Sequence, residues 1–101
     1  MQMIVFSTPK EGREEEYNTW YTDVHIPELL AIDGVTSATR YSAPEMPGQG
    51  AEHTYMAVYE IDGDPLKVLA QLRENATSGK SKTSDAVDPK NTRITFWEPM
   101  K

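Results

Sequence analysis

His53-Thr54-Tyr55-Met56-Ala57-Val58-Tyr59-Glu60-Ile61 is the stretch on which the fold turns. It is rich in β-branched and aromatic residues and follows a turn, which predicts a strand. Alternation puts His53, Tyr55, Ala57 and Tyr59 on one face and Thr54, Met56, Val58 and Glu60 on the other. Neither face is simply polar. A strand of that kind calls for cover on both sides of its sheet.

Upstream, residues 35–43 alternate as a second strand, and Pro44, Pro47, Gly48 and Gly50 make a long turn before His53, which is expected at the surface. Residues 1–7 read as a first strand ended by Pro9, with Ile4, Val5 and Phe6 at its centre. Between these strands, Tyr17, Trp20, Tyr21 and Val24 recur at helical spacing, with Glu14-Glu15-Glu16 near the helix start where the dipole favours carboxylates. Proline disfavours helical geometry in the residue before it, so this helix is expected to stop or kink near Val24 and restart at Pro27, with Gly34 as its final stop. Downstream, Asp64-Pro65 opens a second helix through Leu66, Val68, Leu69 and Leu72. Residues 74–91 read as polar loop, and residues 92–97 as a last strand.

The order β-α-β-β-α-β predicts an α+β, ferredoxin-like domain spanning 1–101, a four-stranded antiparallel sheet with two helices on one face. Two helices cannot cover both faces. The economical cover for the second face is another copy of the same sheet, so a homodimer is expected.

Composition narrows the function classes. A net charge of −6 and a pI near 4.8 argue against a nucleic-acid surface, which needs clustered Lys and Arg. Lys80, Lys82 and Lys90 are the densest basic group and read as solvated loop charge. With no cysteine there is no disulfide, thiolate nucleophile or thiolate metal site. No leader or long apolar run is visible, so the expectation is a cytoplasmic protein without a membrane partner. Asn75-Ala76-Thr77 matches a glycosylation acceptor by accident on that reading. No phosphate loop, dinucleotide fingerprint or nucleophile elbow occurs, so no cofactor is implied. His25 and Glu28 stand at i, i+3 spacing, but a catalytic zinc wants three protein ligands, so no metal is expected either.

Chemistry is expected at the helix joint. His25 titrates near neutral pH when unperturbed and suits general acid/base work. Glu28 and Asp23 are candidate orienters of its ring, or else solvated charges. The catalytic candidates are His25 and Tyr21, a tyrosine hydroxyl being a donor able to stabilise a developing enolate. Tyr17, Trp20, Glu28, Tyr41, Tyr59 and Trp97 are candidates for binding a flat, apolar ligand, although most aromatics in so short a chain fill core or interface. Arg40 and Tyr41 point to opposite faces of the second strand, so one of them shares the cavity. If residues 76–90 move as a lid, Gly79 is the hinge; a plain surface loop is the simpler reading.

The element order, with Tyr17-Asn18-Thr19-Trp20-Tyr21, His25-Ile26-Pro27-Glu28-Leu29-Leu30, Gly34-Val35 and Ala38-Thr39-Arg40-Tyr41, resembles the EthD-like branch of the dimeric α+β barrel superfamily. Tyr55-Met56-Ala57-Val58-Tyr59-Glu60, Ser84-Asp85-Ala86-Val87-Asp88 and Phe96-Trp97-Glu98-Pro99 are also similar to it. The resemblance covers nearly the whole chain. It implies the fold, a homodimer, and a pocket between the first helix and the sheet with His25 at its mouth. It does not name a reaction, because one fold hosts many. The leading expectation is a small cofactor-free enzyme moving protons on a hydrophobic aromatic or polyketide-like carbonyl compound, as a cyclase, isomerase or lyase. A second is a non-catalytic accessory or ligand-binding protein of a catabolic pathway using the same pocket. A third is a purely structural dimer with its aromatics in core and interface.

Overall fold

The structure, a computed structural model, describes residues 1–44, 46–48 and 54–100. Gly50 of the long turn and His53 at the head of the expected third strand lie outside the described residues. Four strands, β1 (Gln2–Ser7), β2 (Val35–Ser42), β3 (Tyr55–Ile61) and β4 (Arg93–Trp97), form one antiparallel sheet in the order β2-β3-β1-β4. On one face lie α1 (Glu14–Trp20) and α2 (Ile26–Leu30), joined into a single arm, and α3 (Pro65–Ser78). This is the α+β, ferredoxin-like arrangement that the element order predicts.

Met3, Val5 and Ser7 of β1 and Ala57, Tyr59 and Ile61 of β3 are buried beneath the helices. The opposite face carries Ile4, Phe6, Met56 and Val58, flanked by Tyr41 and Trp97 at 50% and 56% exposure. Among the described residues no helix covers it.

One bulge decides which residues of β2 face inward. Pairing with β3 runs from Val35↔Ile61 to Ser37↔Glu60, so β2 holds one extra residue at that point. Strict alternation from the buried Val35 would turn Ser37, Thr39 and Tyr41 toward the helices. The bulge flips the register, and Ala38 and Arg40 take the inner face, opposite Tyr59 and Ala57.

The expected break before Pro27 does not occur. His25 and Ile26 keep right-handed helical geometry, and the arm passes the proline through a wide turn, Tyr21–His25, in which the Ile26 N–H bonds the Tyr21 carbonyl five residues back. The extra residue makes room for the pyrrolidine ring, and Pro27 enters α2 in the first turn, where its missing N–H is not needed. Gly34 then reverses the chain with φ +98°; a Cβ there would sit 3.0 Å from the Asp62 carbonyl oxygen and 3.2 Å from Val68.

Helix α3 is longer than its sequence suggests. Asp64 caps it by accepting the Leu66 N–H, and it continues through the polar 74–78 segment to Ser78. Gln71 donates to Asn75 Oδ1 and the Thr77 hydroxyl to the Arg73 carbonyl, so those polar groups are satisfied within the helix. Val68 is fully buried, whereas Leu69 and Leu72 are partly buried and Leu66 is 72% exposed.

Candidate functional site

The wide turn sets the geometry of the site. Residues five apart diverge around a regular helix of about 3.6 residues per turn, but the added residue brings Trp20 and His25 onto one face. Their rings stack at 4.7 Å and 21°. Tyr21 meets the same imidazole edge-on at 4.9 Å and 77°. Wide turns of this kind recur at functional sites in helices.

His25 sits between this aromatic pair and Glu28. Its Nδ1 and Glu28 Oε1 are both buried, both lack a hydrogen-bond partner, and lie 3.9 Å apart. Burial pushes the histidine down to about 4, against the upward pull of the Glu28 charge, with Arg40 adding a smaller downward push. The ring is therefore neutral at pH 7, rather than about one quarter charged as an ordinary value of about 6.5 gives. Tyr21 moves the other way, up to about 12, because burial disfavours its phenolate. The Tyr59 hydroxyl donates to Tyr21 Oη at 3.2 Å. Tyr21 accepts that bond and retains its own proton.

Beside these residues lies a cavity of about 870 Å³. Trp20, Tyr21, His25 and Leu29 form one wall, Met3, Val5, Ile94 and Phe96 the sheet floor, and Leu69 and Leu72 of α3 the far wall. Its size and apolar lining suit a small organic ligand. Residues 79–88, expected as plain loop, form a strap along the rim. The Trp20 indole donates to the Lys82 carbonyl at 2.9 Å, and Glu28 Oε2 accepts the Lys82 N–H at 2.8 Å. Arg13 donates to the Asp85 carbonyl at 3.0 Å, and the Lys10 N–H to that of Ala86 at 2.7 Å. The side chains that flank His25 thus also hold the strap.

Of the residues expected at the site, His25, Tyr21 and Trp20 line the cavity, and Glu28 adjoins His25. Asp23, the other candidate orienter, is exposed. Tyr17 and Tyr59 lie behind the wall as fully buried core, Tyr17 hydrogen-bonded to Ser7 Oγ. Tyr41 and Trp97 are on the far face of the sheet, the former sent there by the β2 bulge, the latter paired opposite Gln2 and donating its indole N–H to Thr95.

Arg40 takes the inward place instead. Its guanidinium lies 4.5 Å from the Tyr21 ring centroid, 5.6 Å from that of Tyr17 and 5.7 Å from that of Tyr55. It donates to Asn18 Oδ1 at 2.8 Å and Thr22 Oγ1 at 3.0 Å. No carboxylate among the described residues pairs with it, so a positive charge stands behind the tyrosine wall. The bulge that places it leaves no mark in the alternation of β2.

Among the described residues no cluster of three or more metal-ligating side chains occurs, and no helix is long and apolar enough to cross a membrane. No family model and no curated protein matches the sequence. The structure is similar to the crystal structure of an ethyl tert-butyl ether D (EthD) family protein from Bacillus halodurans, with a TM-score of 0.69 and 19% identity over 99% of each chain. The chain therefore has the fold of an EthD family protein.

Proposed function

We propose that the protein is a small cofactor-free enzyme that moves a proton on a hydrophobic, aromatic or polyketide-like carbonyl compound. The observation that carries this reading is a neutral histidine in the wall of an apolar cavity, with its buried Nδ1 turned toward a carboxylate. A proton on Nδ1 faces Glu28 and leaves the Nε2 lone pair as the base.

In the proposed step a C–H bond beside the carbonyl breaks, the proton passes to Nε2, and the electron pair moves onto the carbonyl oxygen as an enolate. Tyr21 donates a hydrogen bond to that oxygen, with Arg40 behind its ring favouring the negative charge. A protonated His25 in this setting is a stronger acid than an ordinary imidazolium and returns the proton readily. Return to another carbon is an isomerisation, and attack by the enolate carbon on a second carbonyl is a cyclisation.

The working unit is proposed to be a homodimer closed by the face that carries Ile4, Phe6, Met56, Val58, Tyr41 and Trp97, since a sheet apolar on both faces needs cover on both. The test of the chemistry is α-proton exchange of 2-tetralone in D2O, followed by NMR. Exchange well above the buffer rate that His25→Ala abolishes while binding persists is the expected result. Binding without exchange in the unaltered protein would leave a ligand-binding role and remove the enzyme.

A further inference from the structure

The cavity rim has a charge opposite to that of the molecule. The chain holds sixteen Asp and Glu against ten Lys and Arg, a net charge of −6. Around the cavity the balance reverses: Lys10, Arg73 and Lys82 line it, and Asp85 is the single carboxylate residue to do so among those described. Arg73 and Lys82 form no ion pair among the described residues, and Lys10 acts on the Asp88 carboxylate without a close ion pair. They come from three separate segments, the turn after β1, α3 and the strap, and line the same cavity.

Their placement is tied to the reacting groups. Both backbone polar groups of Lys82 are fixed, the N–H by Glu28 and the carbonyl by Trp20, so the strap cation is anchored to the two side chains that flank His25. The body of the cavity is apolar, from Met3, Val5, Leu29, Leu69, Leu72 and Phe96. An apolar body with exposed cations in its lining matches an amphipathic anion. A neutral ligand would gain nothing from these exposed cations, and a cationic one would be repelled.

We infer that the cavity takes a hydrophobic ring compound bearing a carboxylate, held at the rim by Lys82, Arg73 and Lys10 with its apolar body over the sheet. This deepens the proposed function and rests on the same cavity: the substrate carries its carboxylate at the rim and its reacting carbonyl toward His25. Charge-assisted bonds from guanidinium and ammonium groups supply the recognition.

Calorimetric binding of 2-naphthoate and of 2-acetonaphthone, its neutral methyl-ketone counterpart, separates the terms. The expected result is naphthoate binding about tenfold tighter, equivalent to ~1.4 kcal/mol, with the preference shrinking at high salt. Arg73→Gln and Lys82→Gln each reduce that preference, and the two with Lys10→Gln abolish it while acetonaphthone binding stays unchanged. Lys67→Gln, on α3 away from the cavity, leaves it intact. Equal binding of the two compounds, or a preference that survives the triple substitution, overturns the inference alone, since 2-tetralone exchange is read separately. Binding of neither overturns the cavity reading as well.

Discussion

The two helical arms lie on the same face of one sheet and meet it differently. The α1–α2 arm is packed onto β2 and β3 through Tyr17, Tyr21, Leu29 and Tyr59, all buried, and is tied down by the Tyr59–Tyr21 and Tyr17–Ser7 hydroxyl pairs. Helix α3 is anchored by Val68 near Gly34 and turns Leu69 and Leu72 to a cavity rather than to a floor. The first arm supplies rigid walls and the second supplies room. A site needs both, since groups that move protons must be held by packing while the space beside them stays open.

This contrast is most directly broken by truncation. Tyr59→Ala removes a fully buried ring and its bond to Tyr21, and is expected to cost about 4 kcal/mol in urea unfolding. Leu72→Ala on the other arm is expected to cost about 1 kcal/mol, because its side chain already borders a void. Comparable losses would show that α3 is packed as tightly as α1.

Acid should act through the first arm. His25 lies near 4 in the folded protein against an ordinary value of about 6.5, so between those values the unfolded chain binds more protons than the native one. Stability therefore falls as pH drops through that window, by about 3 kcal/mol for this group, and is restored as pH rises. His25→Gln should flatten the difference in unfolding free energy between pH 6.5 and pH 4. An unchanged slope would mean that His25 is not held neutral by its surroundings.

Gly34→Ala should cost about 2 kcal/mol by thermal unfolding, since it forces a side chain at positive φ against the Asp62 carbonyl and the Val68 anchor of α3. The smallest effect on stability should come from Leu72→Trp, within about 0.5 kcal/mol, because the indole enters open space. The same change should abolish binding of 2-acetonaphthone. Retained binding would mean that ligands lie elsewhere.

The legible parts of the chain were those written in local pattern. Alternation in β1 and β3, the spacing of Tyr17, Trp20, Tyr21 and Val24, and the Asp64-Pro65 helix start all appear as read. His25, Tyr21 and Trp20 were found because a proline marked their turn. Tyr41 was assigned to the site and Arg40 was not, because one inserted residue near Thr36 inverts the faces of β2 and no local signal announces it. The 74–78 segment was read as loop because its polarity hides the bonds that Asn75 and Thr77 make within the helix. Lys82 is exposed, as its reading as solvated charge expects, but the strap around it was read as plain loop because a strap is recognised by what holds it, and Trp20 and Glu28 lie more than fifty residues away.

By itself the sequence determined the order of elements, the α+β fold and the surplus of apolar groups on both faces of the sheet, since these follow from short-range periodicity. Tertiary structure alone decided that Arg40 stands behind the tyrosines, that burial holds His25 neutral, and that a cavity lined in part by Lys10, Arg73 and Lys82 opens beside α3. Desolvation, register and empty space are properties of groups brought together from distant parts of the chain, and they exist only once it has folded.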